Sequence, residues 1–232
     1  MPQLGPLAAS APSLGSAPVP AIHYWRLDEG SGATANDGVG AVNGTIVNSP
    51  SWVTGKWGYV GDYGLNLNGS NQYIDMGMNI DLTGSYTLYC WFKTAFAPAA
   101  TGNFISRNND GIGAGFFLRM SNTGTIQCIH YPKPGLNSIS SAGAYADSNW
   151  HMAACTFEVG VGSALYVDGV SQGTVASTTS GIGSFTQKFM VGRQDYTTGR
   201  YFGGVIDNPM VFDYAKTASE VLTDYNNSSP PV

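Results

Sequence analysis

The sequence predicts an all-β domain closed by one short helix, on three observations. Its 31 glycines fall at short intervals between runs rich in Val, Ile, Tyr, Phe and Thr. Such runs favour strands, and glycine supplies the tight turns between them. The chain is 43% apolar and only 11% charged, and helical periodicity is missing until the C-terminal stretch.

Taken in order, the chain divides into a segment 1–20, a domain 21–228 and a tail 229–232. Met1 to Pro20 holds Pro2, Pro6, Pro12, Pro18 and Pro20 and no charged side chain. This composition excludes an ordinary helix or central strand and predicts an extended arm. It lacks the basic n-region and continuous apolar h-region of a secretory signal. In Tyr86 to Phe92, period two puts Tyr86, Leu88, Cys90 and Phe92 on one face and Thr87, Tyr89 and Trp91 on the other. Both faces are heavy, so the strand is expected at the centre of a sheet and covered on both sides. In Leu165-Tyr-Val-Asp-Gly-Val170, Asp-Gly between strand formers predicts a two-residue hairpin turn with positive φ. Thr217-Ala-Ser-Glu220 has the capping-box pattern and is followed by Val221, Leu222 and Tyr225, which predicts the closing helix.

Several landmarks occur in a fixed order. Tyr24-Trp-Arg-Leu-Asp-Glu-Gly-Ser-Gly32 is followed by Asn43-Gly-Thr45, then by Gly64-Leu-Asn-Leu-Asn-Gly69 running into Tyr73-Ile-Asp-Met76. Gly84 to Lys93 ends in Trp-hydrophobe-Lys, and Asn149 to Phe157 precedes the hairpin at Ala164 to Val170. Val191-Gly-Arg193 leads to Arg200-Tyr-Phe-Gly-Gly-Val-Ile-Asp-Asn-Pro-Met-Val-Phe-Asp-Tyr214. From Ile22 to Asn226 this set resembles a laminin-G-like domain of the concanavalin-A-like lectin/glucanase superfamily. The resemblance implies a two-sheet antiparallel jelly-roll sandwich, a fold that hosts lectins, carbohydrate-binding modules, glucanases and plain structural domains.

Charge and cysteine usage narrow the partners. A net charge of -5, with ten Lys and Arg scattered singly, argues against nucleic acid and acidic membranes. No run is long enough to span a bilayer. Cys90, Cys128 and Cys155 form an odd set without tight pairing spacings. They read as small buried thiols of a protein made in a reducing compartment.

Catalysis finds little support. Glycoside hydrolysis needs two carboxyl groups flanking the bond. The glucanases of the superfamily carry Glu-hydrophobe-Asp-x-Glu on one strand, and this chain has no such pattern. Its three glutamates are Glu29, Glu158 and Glu220, the last two expected in a turn and in the closing helix. His23, His130 and His151 accompany no nucleophile motif and no zinc spacing.

The resemblance implies a structural calcium ion where the first strand's loop meets the last strand, since calcium takes six to eight oxygen ligands. Asp28 and Asp207 match its acidic positions, with Asn43 and Gly44 as further oxygen donors. It also implies a glycan site in loops at one end or edge of the sandwich. The loop Arg193 to Tyr201 supplies Asp195, Tyr196, Arg200 and Tyr201, and a second loop supplies Asn109 and Asp110. A third loop runs from His130 to Gly135, and Trp52, Trp57 and Trp150 read as core ahead of stacking platforms.

Two functions remain open, and the sequence favours the first. One is a structural or decoration protein of a multi-subunit particle such as a phage virion, with residues 1–20 docked on neighbouring subunits and the jelly roll facing outward. The other is a free-standing carbohydrate-binding or adhesion module of a microbial surface, with a glycoside hydrolase third. Self-association stays open under both.

Overall fold

The computed structural model describes residues 20–77, 80, 82–95, 97–109, 114–131, 137–177, 187–195 and 199–227. They form two antiparallel sheets packed face to face. The first runs β14 (Val170–Ala176), β13 (Gly162–Val167), β12 (Trp150–Glu158), β7 (Tyr86–Lys93), β16 (Gly203–Phe212), β5 (Tyr63–Asn68), β4 (Ser51–Thr54), with β1 (His23–Tyr24) also on β16. The second runs β11 (Asn137–Ala144), β10 (Thr125–Tyr131), β9 (Ala114–Met120), β8 (Gly102–Asn109), β15 (Met190–Val191), β6 (Tyr73–Asp75), β3 (Gly44–Val47), β2 (Thr34–Ala35). This is the expected jelly-roll sandwich with its single helix, α1 (Ala218–Asn226).

The alternation in β7 sets the core. Tyr86, Leu88, Cys90 and Phe92 point between the sheets, in the main cluster of buried side chains. There Phe92 stacks on Phe104 of the facing sheet, ring centroids 4.4 Å apart. Tyr89 and Trp91 point outward into a second buried cluster with Met152, Met210 and Phe212. This outer cluster is covered by α1, whose Tyr225 stacks on Trp91 at 5.6 Å. The expected central, doubly covered strand is therefore what forms, between β12 and β16.

Local signals hold as well. Asp168 and Gly169 turn the β13–β14 hairpin with φ of 52° and 75°. Thr217 Oγ1 accepts from Glu220 N at 3.3 Å, and Glu220 Oε2 accepts from Thr217 N at 2.7 Å. Both halves of the capping box are present.

The cysteine reading needs correction. Cys128 of β10 and Cys155 of β12 are joined in a disulfide, their Cα atoms 5.9 Å apart. Only Cys90 is a free thiol, and burial pushes its pKa well up. The paired residues lie on different sheets and meet only when the sandwich closes, so their spacing along the chain carried no sign of the pair. The pair runs against the expected set of three buried free thiols, since disulfides persist mainly where the surroundings are oxidising.

Candidate functional site

A cleft of about 760 Å³ opens where the ends of β5, β7 and β16 meet the segments 94–101 and 199–202. Asn66, Asn68, Ser70, Lys93, Ser148, Arg200 and Tyr201 bring polar or aromatic groups to it. Period two explains three of these. Leu65 and Leu67 point into the core, so Asn66 and Asn68 face out, and Lys93 follows Tyr89 and Trp91 on the outer face of β7.

The cleft wall is held by close backbone approaches. A Cβ on Gly204 would lie 2.6 Å from Lys93 O, and one on Gly102 would lie 2.9 Å from Phe202 Cα. Only a residue without a side chain lets these segments touch, so Gly204 and Gly102 set the width of the wall. Asn103 donates through N at 3.2 Å and Nδ2 at 3.1 Å to the Arg200 carbonyl. Phe202 N donates to Gly192 O at 2.9 Å, and Thr94 Oγ1 to Gly203 O at 2.8 Å. Arg200 sits at φ 59°, a left-handed conformation that costs a non-glycine residue on the order of 1 kcal/mol. This hydrogen-bonded frame keeps it there.

The loop singled out in the sequence thus contributes Arg200 and Tyr201 to the cleft. The Tyr201 ring is half-buried, and the Arg193 guanidinium lies 5.5 Å from its centroid and 4.5 Å from that of Tyr73. Asp195 lies beside the loop, its Oδ2 accepting from Lys188 N at 3.1 Å, and does not line the cleft. Tyr196 and Asp110 fall outside the described residues, as does most of the His130 to Gly135 loop. Asn109 closes β8 and its side chain is likewise outside them. Trp57 and Trp150 are half-buried against the outer cluster, and Trp52 packs on the main core.

Asn66, Asn68, Lys93 and Ser148 were missed. Strand alternation was enough to turn Asn66, Asn68 and Lys93 outward. Only the fold, however, places them beside Arg200.

The expected calcium residues are distributed differently. Asp28 Oδ1 accepts from Tyr63 N at 3.0 Å, and buried Asp207 Oδ2 accepts from Lys56 N at 2.8 Å. Asp62, not foreseen, joins them: its Oδ2 accepts from Trp57 N at 2.7 Å and Gly58 N at 2.5 Å, while its buried Oδ1 has no hydrogen-bond partner. Burial, with Asp62 and Asp28 adding repulsion, raises the Asp207 pKa well above the carboxylate range. Burial and Asp62 also raise that of Asp28. Asn43 Oδ1 instead accepts from Asp37 N at 2.9 Å, and Gly44 pairs with Ala35 in the second sheet. Among the described residues no three His, Cys, Asp or Glu side chains are grouped to hold a metal by themselves. A calcium ion at Asp28, Asp62 and Asp207 would need carbonyl or water oxygens to complete its shell.

Residues 68–222 match the family described as the concanavalin A-like lectin/glucanases superfamily, of laminin-G type, and the chain belongs to it. Among solved structures, domain 4 of AbnA, an extracellular arabinanase from Geobacillus stearothermophilus in complex with arabinotriose, superposes with a TM-score of 0.69 at 16% identity. That match covers 89% of this chain and 98% of the other. The CBM40 module of Ruminococcus gnavus IT-sialidase, bound to α2,3-sialyllactose, gives 0.60 at 16% identity over 70% of this chain and 96% of its own. Trypanosoma rangeli sialidase gives 0.61 at 15% identity, over 88% of this chain but 32% of that enzyme. No curated protein sequence matches the chain. At these identities the likeness establishes a lectin-like fold.

Proposed function

We propose that this chain is a non-catalytic lectin-like module that binds a saccharide in the cleft bordered by Arg200 and Tyr201. The observation that carries this reading is the convergence of Tyr201, Arg200, Asn66 and Asn68 on one rigid opening. Sugars are held by aromatic faces against their C–H surfaces and by planar polar groups that take hydroxyl pairs. The cleft offers both on a frame preset by the Asn103 and Thr94 hydrogen bonds, which lowers the ordering cost of binding. Its described lining residues include no Asp or Glu to serve as the carboxyl pair that glycoside hydrolysis needs, which supports the non-catalytic reading.

The test is calorimetric titration with arabinotriose and sialyllactose as first probes, alongside assays for their hydrolysis. The reading expects saturable binding without turnover and its loss in Tyr201→Ala at unchanged melting temperature. Turnover, or binding indifferent to Tyr201, overturns it. Anchoring to a particle through residues 1–20 involves one described residue, Pro20. Deleting 1–20 leaves saccharide binding intact under our reading, so incorporation into a particle can be scored separately.

Calcium is a second proposal, supported by the unpartnered Asp62 Oδ1 beside Asp28 and Asp207. Calcium in excess over chelator then raises the melting temperature by several degrees, and Asp62→Asn removes the increment. An identical melt in calcium and in chelator rules it out.

A further inference from the structure

The charge around the cleft runs against that of the whole molecule. The chain carries 15 Asp and Glu against 10 Lys and Arg, yet the described lining residues include Lys93 and Arg200 and no acid. Among the described residues neither cation forms an ion pair. Arg200 Nη1 donates to Gln194 Oε1 at 3.2 Å, which leaves most of the guanidinium's five donors to solvent. Both side chains are exposed.

The nearest acids in sequence are engaged elsewhere. Asp147, next to the cleft residue Ser148, has Oδ1 3.0 Å from His151 Nε2 and Oδ2 3.0 Å from Asn149 Nδ2. Asp195 caps Lys188 N. Arg119, on the outer face of β9, has its pKa lowered by burial and then by the charge of Arg200. A third positive group therefore adds to the field at this end. Two exposed cations rimmed by neutral amides and hydroxyls suit a ligand that brings both an anion and hydroxyl groups.

On the reading of the cleft as a saccharide site, we infer that the saccharide it takes is anionic. Its carboxylate or sulfate is received between Lys93 and Arg200, and its hydroxyls by Asn66, Asn68 and Ser148. Arg200 presents a planar fork matched to two oxygens of such a group, and Lys93 acts as a point charge. The left-handed backbone at Arg200 is pinned through its carbonyl by Asn103, and Gln194 Oε1 accepts from one of its guanidinium nitrogens, so the side chain starts from a set position at the cleft edge.

The test uses the full chain and three probes by calorimetry: trigalacturonic acid, the same trimer with its carboxyls reduced to alcohols, and a sulfated trisaccharide. A charge-assisted contact is worth roughly a factor of ten in affinity. The acidic trimer should therefore bind about tenfold tighter than its reduced form, and more weakly as salt rises. Lys93→Gln and Arg200→Gln should each weaken binding of the acidic trimer about tenfold more than they weaken binding of the neutral one. Tighter binding of the sulfated probe than of the uronide assigns the anion as sulfate. Equal affinity for acidic and neutral trimers, or equal losses on both in the variants, overturns the inference and leaves the saccharide reading standing. Failure of every probe, arabinotriose and sialyllactose included, overturns both. If Arg200→Gln melts early, Lys93→Gln and the wild-type salt series decide.

Discussion

Trp91 and Lys93 stand two residues apart on one strand, point the same way, and have opposite fates. Trp91 lies under Tyr225 of α1, in the outer cluster with Met152, Met210 and Phe212. Lys93 lies beyond the reach of the helix and borders the cleft. One alternation put both on the outer face of β7, and what covers each end of that face separates structure from function. Aromatic residues on a sheet's outer face are therefore no sign of a sugar site here; the end we propose for the ligand is marked by charge and by glycine-bounded walls.

The largest effect expected is at the covered end. Trp91→Ala should destabilise the fold by about 3–5 kcal/mol, the range for truncating a buried large aromatic, and leave cleft affinity within about twofold. Chemical denaturation and calorimetry read the two. Loss of affinity at unchanged stability would break the division.

Two histidines sharpen it next. His130 is buried between the sheets, its Nδ1 3.0 Å from Tyr86 Oη and its Nε2 without a partner, and burial lowers its pKa to about 4. The unfolded chain, with an ordinary value near 6.5, binds the proton first on acidification. Stability is therefore full above about pH 6.5 and falls as pH drops toward 4, by about 3 kcal/mol in all. His151 has the opposite sign. Burial works against its charge, but hydrogen bonds to Asp168 and Asp147 prevail and raise its pKa. Its contribution is present at low pH and is lost as pH rises through that raised value. A denaturation series from pH 4 to 7 should show the His130 slope vanish in His130→Phe, provided that variant folds; a persistent slope would place the titration elsewhere.

The smallest effect lies on the cover itself. Thr217→Ala removes the cap from α1 and should cost about 1 kcal/mol. Because Tyr225 is the lid on Trp91, tryptophan fluorescence should shift with it while binding does not.

Much of this was legible in residues whose signals are local. Tyr86 to Lys93 shows its two faces by alternation, Asp168-Gly169 its turn, and Thr217 with Glu220 its cap. Arg200 and Tyr201 were legible as a polar and aromatic loop. What was not legible depends on closure of the sandwich. Cys128 and Cys155 meet across sheets, Asp62 adds its charge to those of Asp28 and Asp207 from a separate turn, and Lys93 lines one cleft with Arg200 across more than a hundred residues of chain. Glycines 102 and 204, which set the wall, carry no sign of that role in the sequence, because the backbone that each approaches is distant along the chain.

The central claim is that ligand enters at the open end of the β7 face, and amide chemical-shift mapping during titration with trigalacturonic acid tests it most directly. The account predicts saturating shifts at Asn66–Ser70, Lys93–Ala95 and Gly199–Val205, with Trp57, Trp91 and Tyr225 unmoved. Shifts centred on Trp57, Trp91 and Tyr225, with Arg200 and Tyr201 silent, would contradict it.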